Sequence, residues 1–207
     1  MKVSGDATLH APIDKVWAAL NDPAVLVRTI PGCERLETTG PDAYRMVVTA
    51  GVASIKGTYA GEVQLSDQQQ PDSFLMTASG AGGPGTISTE VRVALAAAGD
   101  GSTTLRYDAD AVVGGVIAGV GQRMLAGVAK KMAGEFFRAV DDVLTGKAAE
   151  PAATGPDTPV EPGVFVAPDA GAARTTGGDD FARGALVGAA IALAGVLVGG
   201  LLERRRR

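Results

Sequence analysis

Five segments between Tyr44 and Val113 alternate apolar and polar residues, and short turn sequences rich in glycine, proline and aspartate separate them. In the clearest segment, the odd-numbered residues are apolar, aromatic or glycine, and the even-numbered residues are mostly polar. A period of two is typical of a strand that buries one face. Closely spaced strands of this kind favour an antiparallel sheet. The segments are YRMVVTA (44–50), IKGTYAGEVQL (55–65, the clearest), SFLMTASG (73–80), TISTEVRVAL (86–95) and TTLRYDADAVV (103–113).

Shorter elements precede these strands. Residues 3–9 alternate and predict a first strand. In APIDKVWAAL (11–20), apolar residues fall at i, i+3, i+4 and i+7, which predicts a helix with Pro12 in its first turn. The NDP sequence at 21–23 ends this helix, and a second short helix is predicted over 23–29.

A long helix is predicted to follow the strands, from about Val116 to Leu144. Its apolar residues recur every four positions. They are Val120, Met124, Val128, Met132, Phe136 and Val140. The predicted order is therefore a strand, two short helices, about six strands and a long helix. A curved antiparallel sheet wrapped round the long helix buries both apolar faces, which makes the expected class α+β.

Small residues on the inward face of the sheet predict a cavity between sheet and helix. Gly57 and Gly61 lie on the apolar face of their segment, where larger side chains would fill space. The alternative is that small residues let the helix pack closely. The residues expected to line the cavity are Trp17, Ile30, Tyr44, Met46, Tyr59, Gly61, Val63, Met76, Val91, Tyr107, Val120, Met124, Val128 and Met132.

Side chains suited to catalysis or to metal binding are few. His10 is the only histidine and Cys33 the only cysteine, so the sequence predicts neither a zinc site nor a Ser-His-Asp triad. Asp108 and Asp110 share a strand face that is expected to be solvated. We predict no catalytic residues. With 19 basic against 23 acidic residues and no basic stripe, nucleic-acid binding has no support either.

The composition changes after the predicted long helix. Residues 146–180 contain five of the 11 prolines and show no periodicity, which predicts a disordered linker after a folded domain at 1–145. Within this linker, GVFVAP (163–168) is a short apolar stretch. It is interpreted as an incidental loop, with a docking motif for a partner as the alternative.

The segment 181–207 is predicted to be an apolar helix that ends in arginines. The residues from Gly184 to Leu202 are uncharged, and as a helix they would extend about 28 Å, close to the ~30 Å hydrocarbon core of a bilayer. Many of them are glycine or alanine, so insertion would be marginal. The arginines oppose transfer across the membrane, because positive charge favours the cytoplasmic side.

Three interpretations of this segment stay open: reversible attachment to the cytoplasmic membrane face, which we favour, a stable span, and folding on the chain's own domain. The arginines would bind anionic lipid, and a stripe of small residues would let a partner helix approach closely. The expected membrane or partner residues are Gly184, Gly188, Ala192, Gly195, Gly199, Arg204, Arg205, Arg206 and Arg207.

Three stretches resemble the CoxG family of carbon monoxide dehydrogenase subunits, which belongs to the START-like, polyketide-cyclase-like superfamily. They are VWAALNDPAVLVRTIPGCERLE (16–37), IKGTYAGEVQL (55–65) and VVGGVIAGVGQRMLAGVAKKMAGEFF (112–137). The resemblance covers roughly residues 1–145. It implies a helix-grip fold with a hydrophobic tunnel, and an accessory role in recruiting a molybdenum hydroxylase such as carbon monoxide dehydrogenase to the membrane. It carries over no catalytic residues.

The leading hypothesis is a carrier-adaptor on the cytoplasmic face of the cell membrane, either peripheral or tail-anchored. It would bind a lipophilic molecule, above all an isoprenoid quinone such as menaquinone, and link a respiratory oxidoreductase to the membrane. One alternative is a recruitment adaptor with a filled core and no ligand. The other is a cyclase-type enzyme acting on an aromatic or polyketide substrate, for which Tyr44, Tyr59 and Tyr107 are the available polar groups.

Overall fold

The computed structural model describes residues 1–148 and 162–167. The predicted apolar C-terminal helix and most of the predicted linker lie outside these residues. The elements are β1 (Lys2–Leu9), α1 (Ile13–Leu20), α2 (Pro23–Thr29), β2 (Cys33–Gly40), β3 (Ala43–Val52), β4 (Ile55–Gln69), β5 (Ser73–Gly82), β6 (Gly85–Ala97), β7 (Thr103–Gly114), a 3₁₀ helix (Val116–Val120), α3 (Gln122–Leu144) and β8 (Val164–Val166).

The strands form one antiparallel sheet in the order β1-β7-β6-β5-β4-β3-β2-β8. Consecutive strands from β2 to β7 are neighbours, as short turns require. The sheet is curved, and α3 lies against it, nearest β1 and the two short helices. This architecture confirms the predicted curved antiparallel sheet with a long C-terminal helix.

The strand register shows which face of the sheet is inward. Val3, Ala109, Val91, Met76 and Leu65 stand side by side on β1, β7, β6, β5 and β4. Three of them are buried, at Val3, Val91 and Leu65. Their neighbours in sequence point outward and are exposed or half-buried. The alternation in the sequence therefore identified the concave face correctly.

The buried residues form two separate clusters. The larger cluster joins the sheet to α1, α2 and the C-terminal half of α3, and it includes the fully buried Leu36, Leu105 and Val140. The smaller cluster consists of Val52, Ile117 and Leu125, with partly buried neighbours around them. It joins the β3–β4 turn to the 3₁₀ helix and the start of α3. The concave face is therefore filled at its two ends by different residues.

The two ends of the domain differ in composition. We call segments 51–58, 82–86 and 114–124 the glycine-rich end, because they hold the β3–β4 and β5–β6 turns and the entrance to α3. We call segments 40–43, 67–73, 98–102 and 141–148 the acidic end. These hold the other three hairpin turns and the end of α3. The strands run between these two ends.

Two strands were not predicted from the sequence. β2 has the sequence CERLETTG, whose alternation is weak, and only Cys33 and Leu36 are buried along it. β8 occupies the stretch that was interpreted as a loop, and it pairs antiparallel with the open edge of β2. Its Val-Phe-Val sequence suits a strand, and the Phe165 side chain packs against the larger cluster. The interpretation of this stretch as an irregular loop was wrong.

The predicted long helix also differs from the structure at its start. A 3₁₀ helix covers Val116–Val120, and α3 begins only after Gly121, whose φ of 95° belongs to the left-handed region. Apolar residues spaced by four drift about 40° per step around a helix of 3.6 residues per turn, so one face cannot hold them all. Met124 is accordingly 51% exposed, and Leu125 takes the buried position. The prediction that Met124 lines the cavity is therefore wrong.

A pair of hydrogen bonds fastens the end of β1 to the last turn of α3. The His10 backbone N–H donates to Asp141 Oδ1 at 2.6 Å, and His10 Nδ1 lies 2.9 Å from Asp141 Oδ2. Burial of the Asp141 side chain alone would raise the pKa of its carboxyl. The hydrogen bonds from His10, the charge of His10 and the charge of Lys147 together lower that pKa below its usual value.

We expect Asp141→Ala to lower the free energy of unfolding by about 1 kcal/mol at neutral pH, because both hydrogen bonds are lost. A carboxyl whose folded pKa is depressed stabilises the fold above its unfolded pKa of roughly 4. That stabilisation disappears as the pH falls through the folded pKa. Urea unfolding at several pH values should show the difference from wild type vanishing in acid. Asp142→Ala is the matched control, and an equal loss there would contradict this role for His10 and Asp141.

Candidate functional site

The concave face between the two buried clusters is the candidate site, and we call it the central section. Its residues are small or incompletely covered: Gly61, Ala78, Gly80, Ile87, Thr89 and Met132. Ile87 stays 37% exposed although it stands on the inward face of β6. Met132 of α3 is half-buried and belongs to neither cluster. An apolar face that its own side chains do not cover suits an apolar ligand.

Two glycines face each other in the central section, and their surroundings differ. Gly61 pairs with Gly80 across β4 and β5. A Cβ on Gly61 would lie 2.6 Å from the Ser79 carbonyl oxygen, whereas a Cβ on Gly80 would meet nothing closer than 3.7 Å. Gly61 therefore lets β5 approach closely, and Gly80 is the glycine that leaves room.

The glycine at position 57 has a packing role as well. A Cβ on Gly57 would lie 2.5 Å from Pro84 Cγ, so this glycine admits the β5–β6 turn. The sequence-based reasoning took Gly57 and Gly61 together as evidence for open space. At these two positions neither open space nor close packing of the helix applies, because the close neighbour is another part of the sheet.

The other predicted cavity residues lie along the concave face and its two ends. Those buried in the larger cluster are Trp17, Tyr44 and Val91. Those partly buried against it are Ile30, Met46, Val63, Met76 and Tyr107. Those packed against the smaller cluster are Tyr59, Val120 and Val128. The structure therefore places most of this set around the central section rather than within it.

Trp17 closes the site at the acidic end. Its ring meets Phe74 edge-on, with ring centroids 5.7 Å apart and an interplanar angle of 81°. With only 6% of the residue exposed, Trp17 is part of the packed core between α1 and the sheet. An edge-to-face pair of this kind adds stability beyond its buried area. Trp17 therefore serves as a wall of the site.

The three tyrosines do not converge on one point. Tyr44 pairs with Val63, Tyr59 with Gly82, and Tyr107 with Val93, so they occupy three different rows of the sheet. Burial, followed by nearby aspartates, raises the pKa of Tyr44 and of Tyr107. Both phenols therefore stay protonated at neutral pH and can donate a hydrogen bond to a polar group at one end of a ligand.

The single cysteine, Cys33, has low chemical reactivity. Burial, with a smaller contribution from the charge of Glu34, raises the pKa of Cys33 to about 11, although a backbone hydrogen bond at Arg35 opposes the shift. A thiol with this pKa is almost entirely protonated at neutral pH and is a poor nucleophile. Among residues 1–148 and 162–167, no group of three potential ligand side chains is placed to hold a metal ion.

A depression of about 550 Å³ lies on the opposite, outer face of the sheet. Outward-pointing residues form most of its wall, among them Glu62, Gln64, Thr77 and Glu90. Carboxylates and hydroxyls that face water do not suit a lipophilic ligand, because desolvating them costs free energy. The concave face therefore remains the better candidate, despite the size of this outer depression.

The predicted membrane residues, from Gly184 to Arg207, lie outside the described residues. In the part of the chain that the structure describes, no helix has both the length and the hydropathy to cross a bilayer. The site residues that sequence reasoning missed are Ala78, Gly80, Ile87 and Thr89. The alternation of their segments already placed them on the inward face. Small size or a hydroxyl group accounts for the omission of Ala78, Gly80 and Thr89, whereas Ile87 fitted the pattern and was overlooked.

An antiparallel sheet curved against a C-terminal helix, with an apolar concave face, defines a START-like protein of the helix-grip fold. A START superfamily protein from Mycobacterium smegmatis has this fold, with a TM-score of 0.56, 16% identity, and coverage of 71% of this chain and 99% of that one. The Zhui aromatase/cyclase from Streptomyces sp. R1128 has it as well, with a TM-score of 0.55, 16% identity, and coverage of 74% and 99%. At these identities the likeness concerns the fold alone.

The chain belongs to the CoxG family of carbon monoxide dehydrogenase subunits, whose model matches residues 5–145. A conserved protein from Geobacillus kaustophilus is 34% identical to it, with a TM-score of 0.68 and coverage of 71% of this chain and 97% of that one. No curated protein matches the chain. The family resemblance predicted from the sequence is thus confirmed, and the fold and family together indicate an accessory protein with a hydrophobic ligand site.

Proposed function

We propose that the protein is a carrier-adaptor that binds an isoprenoid quinone such as menaquinone and links a carbon monoxide dehydrogenase or related respiratory oxidoreductase to the cytoplasmic membrane. The observation that carries the proposal is the central section, an apolar surface between two packed clusters. Its Ile87 is 37% exposed. Burying apolar surface stabilises a complex by roughly 25 cal/mol per Å² before the costs of association are subtracted.

The shape of the site suits a long, mostly apolar molecule with a polar head. The concave face extends from the acidic end to the glycine-rich end, and both clusters leave partly buried apolar side chains on its path. The protonated phenol of Tyr44 lies toward the acidic end and supplies a hydrogen-bond donor for a quinone carbonyl. An isoprenoid tail then extends along the central section past Met132.

The family supports the proposed partner, because the name of the family describes a subunit of carbon monoxide dehydrogenase. An oxidoreductase of this kind needs an electron acceptor, and a quinone in the membrane is chemically suited to that task. The apolar segment Gly184–Leu202 and the arginines after it would hold the adaptor at an anionic membrane face. Carrier and recruiter are then two aspects of one protein.

The first experiment is to purify the full chain from cells that contain isoprenoid quinone, extract it with organic solvent and identify the bound lipids by mass spectrometry. We expect about one quinone per folded chain. An empty extract from folded, monodisperse protein would contradict the carrier function and would leave a recruitment adaptor without a ligand. Recovery of an aromatic polyketide instead would favour a cyclase-type enzyme.

A further inference from the structure

We infer that the glycine-rich end of the domain is a membrane-docking surface, which seats on an anionic phospholipid bilayer and admits the lipophilic ligand to the central section. This inference rests on the proposed function, because it names the surface from which the ligand comes. Three independent observations on the described residues support it: exposed apolar side chains, a one-sided charge distribution and the course of the chain at β8.

Two large apolar side chains at this end face water. Val116 is 71% exposed and Met124 is 51% exposed. Each directly precedes a residue of the smaller cluster, Ile117 and Leu125 respectively. The 3₁₀ helix and the first turn of α3, which close this end of the site, therefore also present apolar groups outward. Exposed apolar side chains grouped in this way mark a surface that interacts with a partner or a membrane.

The segments of the glycine-rich end carry only positive charge, although two carboxylates lie next to them: Asp110, which is paired with the Met1 N-terminus, and Glu34, which accepts a hydrogen bond from Thr49. The three segments themselves contain Lys56 and Arg123 and no aspartate or glutamate. The acidic end contains one lysine, Lys147, and six aspartates, which are Asp42, Asp67, Asp72, Asp100, Asp141 and Asp142. An anionic surface attracts the first end and repels the second, so it would orient the domain with the glycine-rich end toward the lipid.

The course of the chain at β8 points the same way. β8 is antiparallel to β2, with Val164 opposite Glu37 and Val166 opposite Arg35. The Ala167 N–H donates to the Glu34 carbonyl at 3.1 Å. The chain therefore passes residue 167 heading toward the glycine-rich end. The pairing of β8 reverses the direction in which the chain left α3.

A bilayer fits these features better than a folded protein partner does. Exposed apolar side chains beside Lys56 and Arg123 match acyl chains lying beneath anionic phosphates. The smaller cluster contains only three buried residues, so it is the thinner of the two walls that separate the central section from the outside. A ligand that moves from the bilayer past Val116 and Met124 would meet this wall first.

The test uses the full chain with an environment-sensitive fluorophore on Met124→Cys, and the same label on Asp72→Cys as the matched control. The native Cys33 is buried and should not react. With vesicles of phosphatidylcholine and phosphatidylglycerol, emission at position 124 is expected to shift to the blue and brighten, while emission at position 72 stays unchanged. Both proteins carry the same C-terminal segment, so only the position of the label differs.

Three outcomes would overturn the inference. The first is that emission at position 124 does not change with vesicles. The second is that positions 124 and 72 respond alike. The third is that emission at position 124 is already shifted to the blue without vesicles, which would show that the C-terminal segment or a second copy of the chain covers the surface.

A second measurement separates this inference from the proposed function. Val116→Asp is expected to slow the loading of menaquinone from vesicles while leaving the binding of menaquinone supplied in detergent unchanged, with Thr77→Asp on the outer face as the control. Loading of the two variants at equal rates would contradict a role for this end as the opening. If the wild-type chain binds no menaquinone even from detergent, the carrier function fails, and the fluorescence still decides whether the surface docks on lipid.

Discussion

Gly61→Ala is expected to lower the free energy of unfolding by about 2–3 kcal/mol, whereas Gly80→Ala leaves it unchanged or raises it by up to about 1 kcal/mol. The two glycines stand opposite each other on adjacent strands. At position 61 a methyl group would lie 2.6 Å from the Ser79 carbonyl oxygen, a distance at which the backbone must move. At position 80 the new methyl group makes ordinary contacts of 3.7 Å or more.

Urea unfolding of the two variants and the wild type measures both effects under identical conditions. The comparison is well matched, because both substitutions add the same methyl group to the same inward face. A loss of stability at position 61 without a loss at position 80 would establish that Gly61 is kept for the approach of two strands and Gly80 for space. Equal destabilisation at both positions would contradict this assignment.

Ala78→Phe is expected to weaken menaquinone binding at least tenfold. The alanine stands on the inward face of β5, opposite Val63 and Thr89, and is half-buried. A benzyl group there would occupy the central section. Displacing two buried methylene groups of a ligand costs about 1.6 kcal/mol, and 1.4 kcal/mol corresponds to a factor of ten in affinity.

The matched control is Thr77→Phe, which puts the same ring on the outer face of the same strand. Titration of lipid-free protein with menaquinone in a fixed concentration of detergent gives the affinity of each variant, and urea unfolding checks that both are folded. Full affinity in Ala78→Phe would place the ligand elsewhere. Equal losses in both variants would show that a phenylalanine disturbs β5 from either face.

The sheet and its inward face could be predicted because, in a half-buried strand, every second residue is apolar and faces the core. Val63 and Val91, for example, lie on the face that the alternation assigned to them. β2 escaped prediction because five of its eight residues are charged or hydroxylic, and its pairing with β3 on one side and β8 on the other holds it in place. Pairing of this kind is tertiary and leaves little trace in local sequence.

The site could be predicted only in part, for related physical reasons. A glycine on an inward face is compatible with a cavity and with close backbone approach, and only the distances around Gly57, Gly61 and Gly80 distinguish the two. The register of α3 was misjudged at Met124 because a spacing of four drifts around a real helix. The two clusters arise from contacts among segments that are distant in sequence, so no single stretch of sequence predicts that the clusters are separate.

β8 also affects the tendency of this protein to aggregate at high local concentration. A free edge strand offers unpaired backbone groups to any neighbouring chain and so invites edge-to-edge aggregation. Here the edge of β2 is covered by a strand of three residues, and a proline stands on each side of it in the sequence PGVFVAP. A strand so short, bracketed by residues without a backbone N–H, is a poor template for a further strand. β8 therefore hinders a neighbouring copy of the chain from adding a further strand at this edge of the sheet.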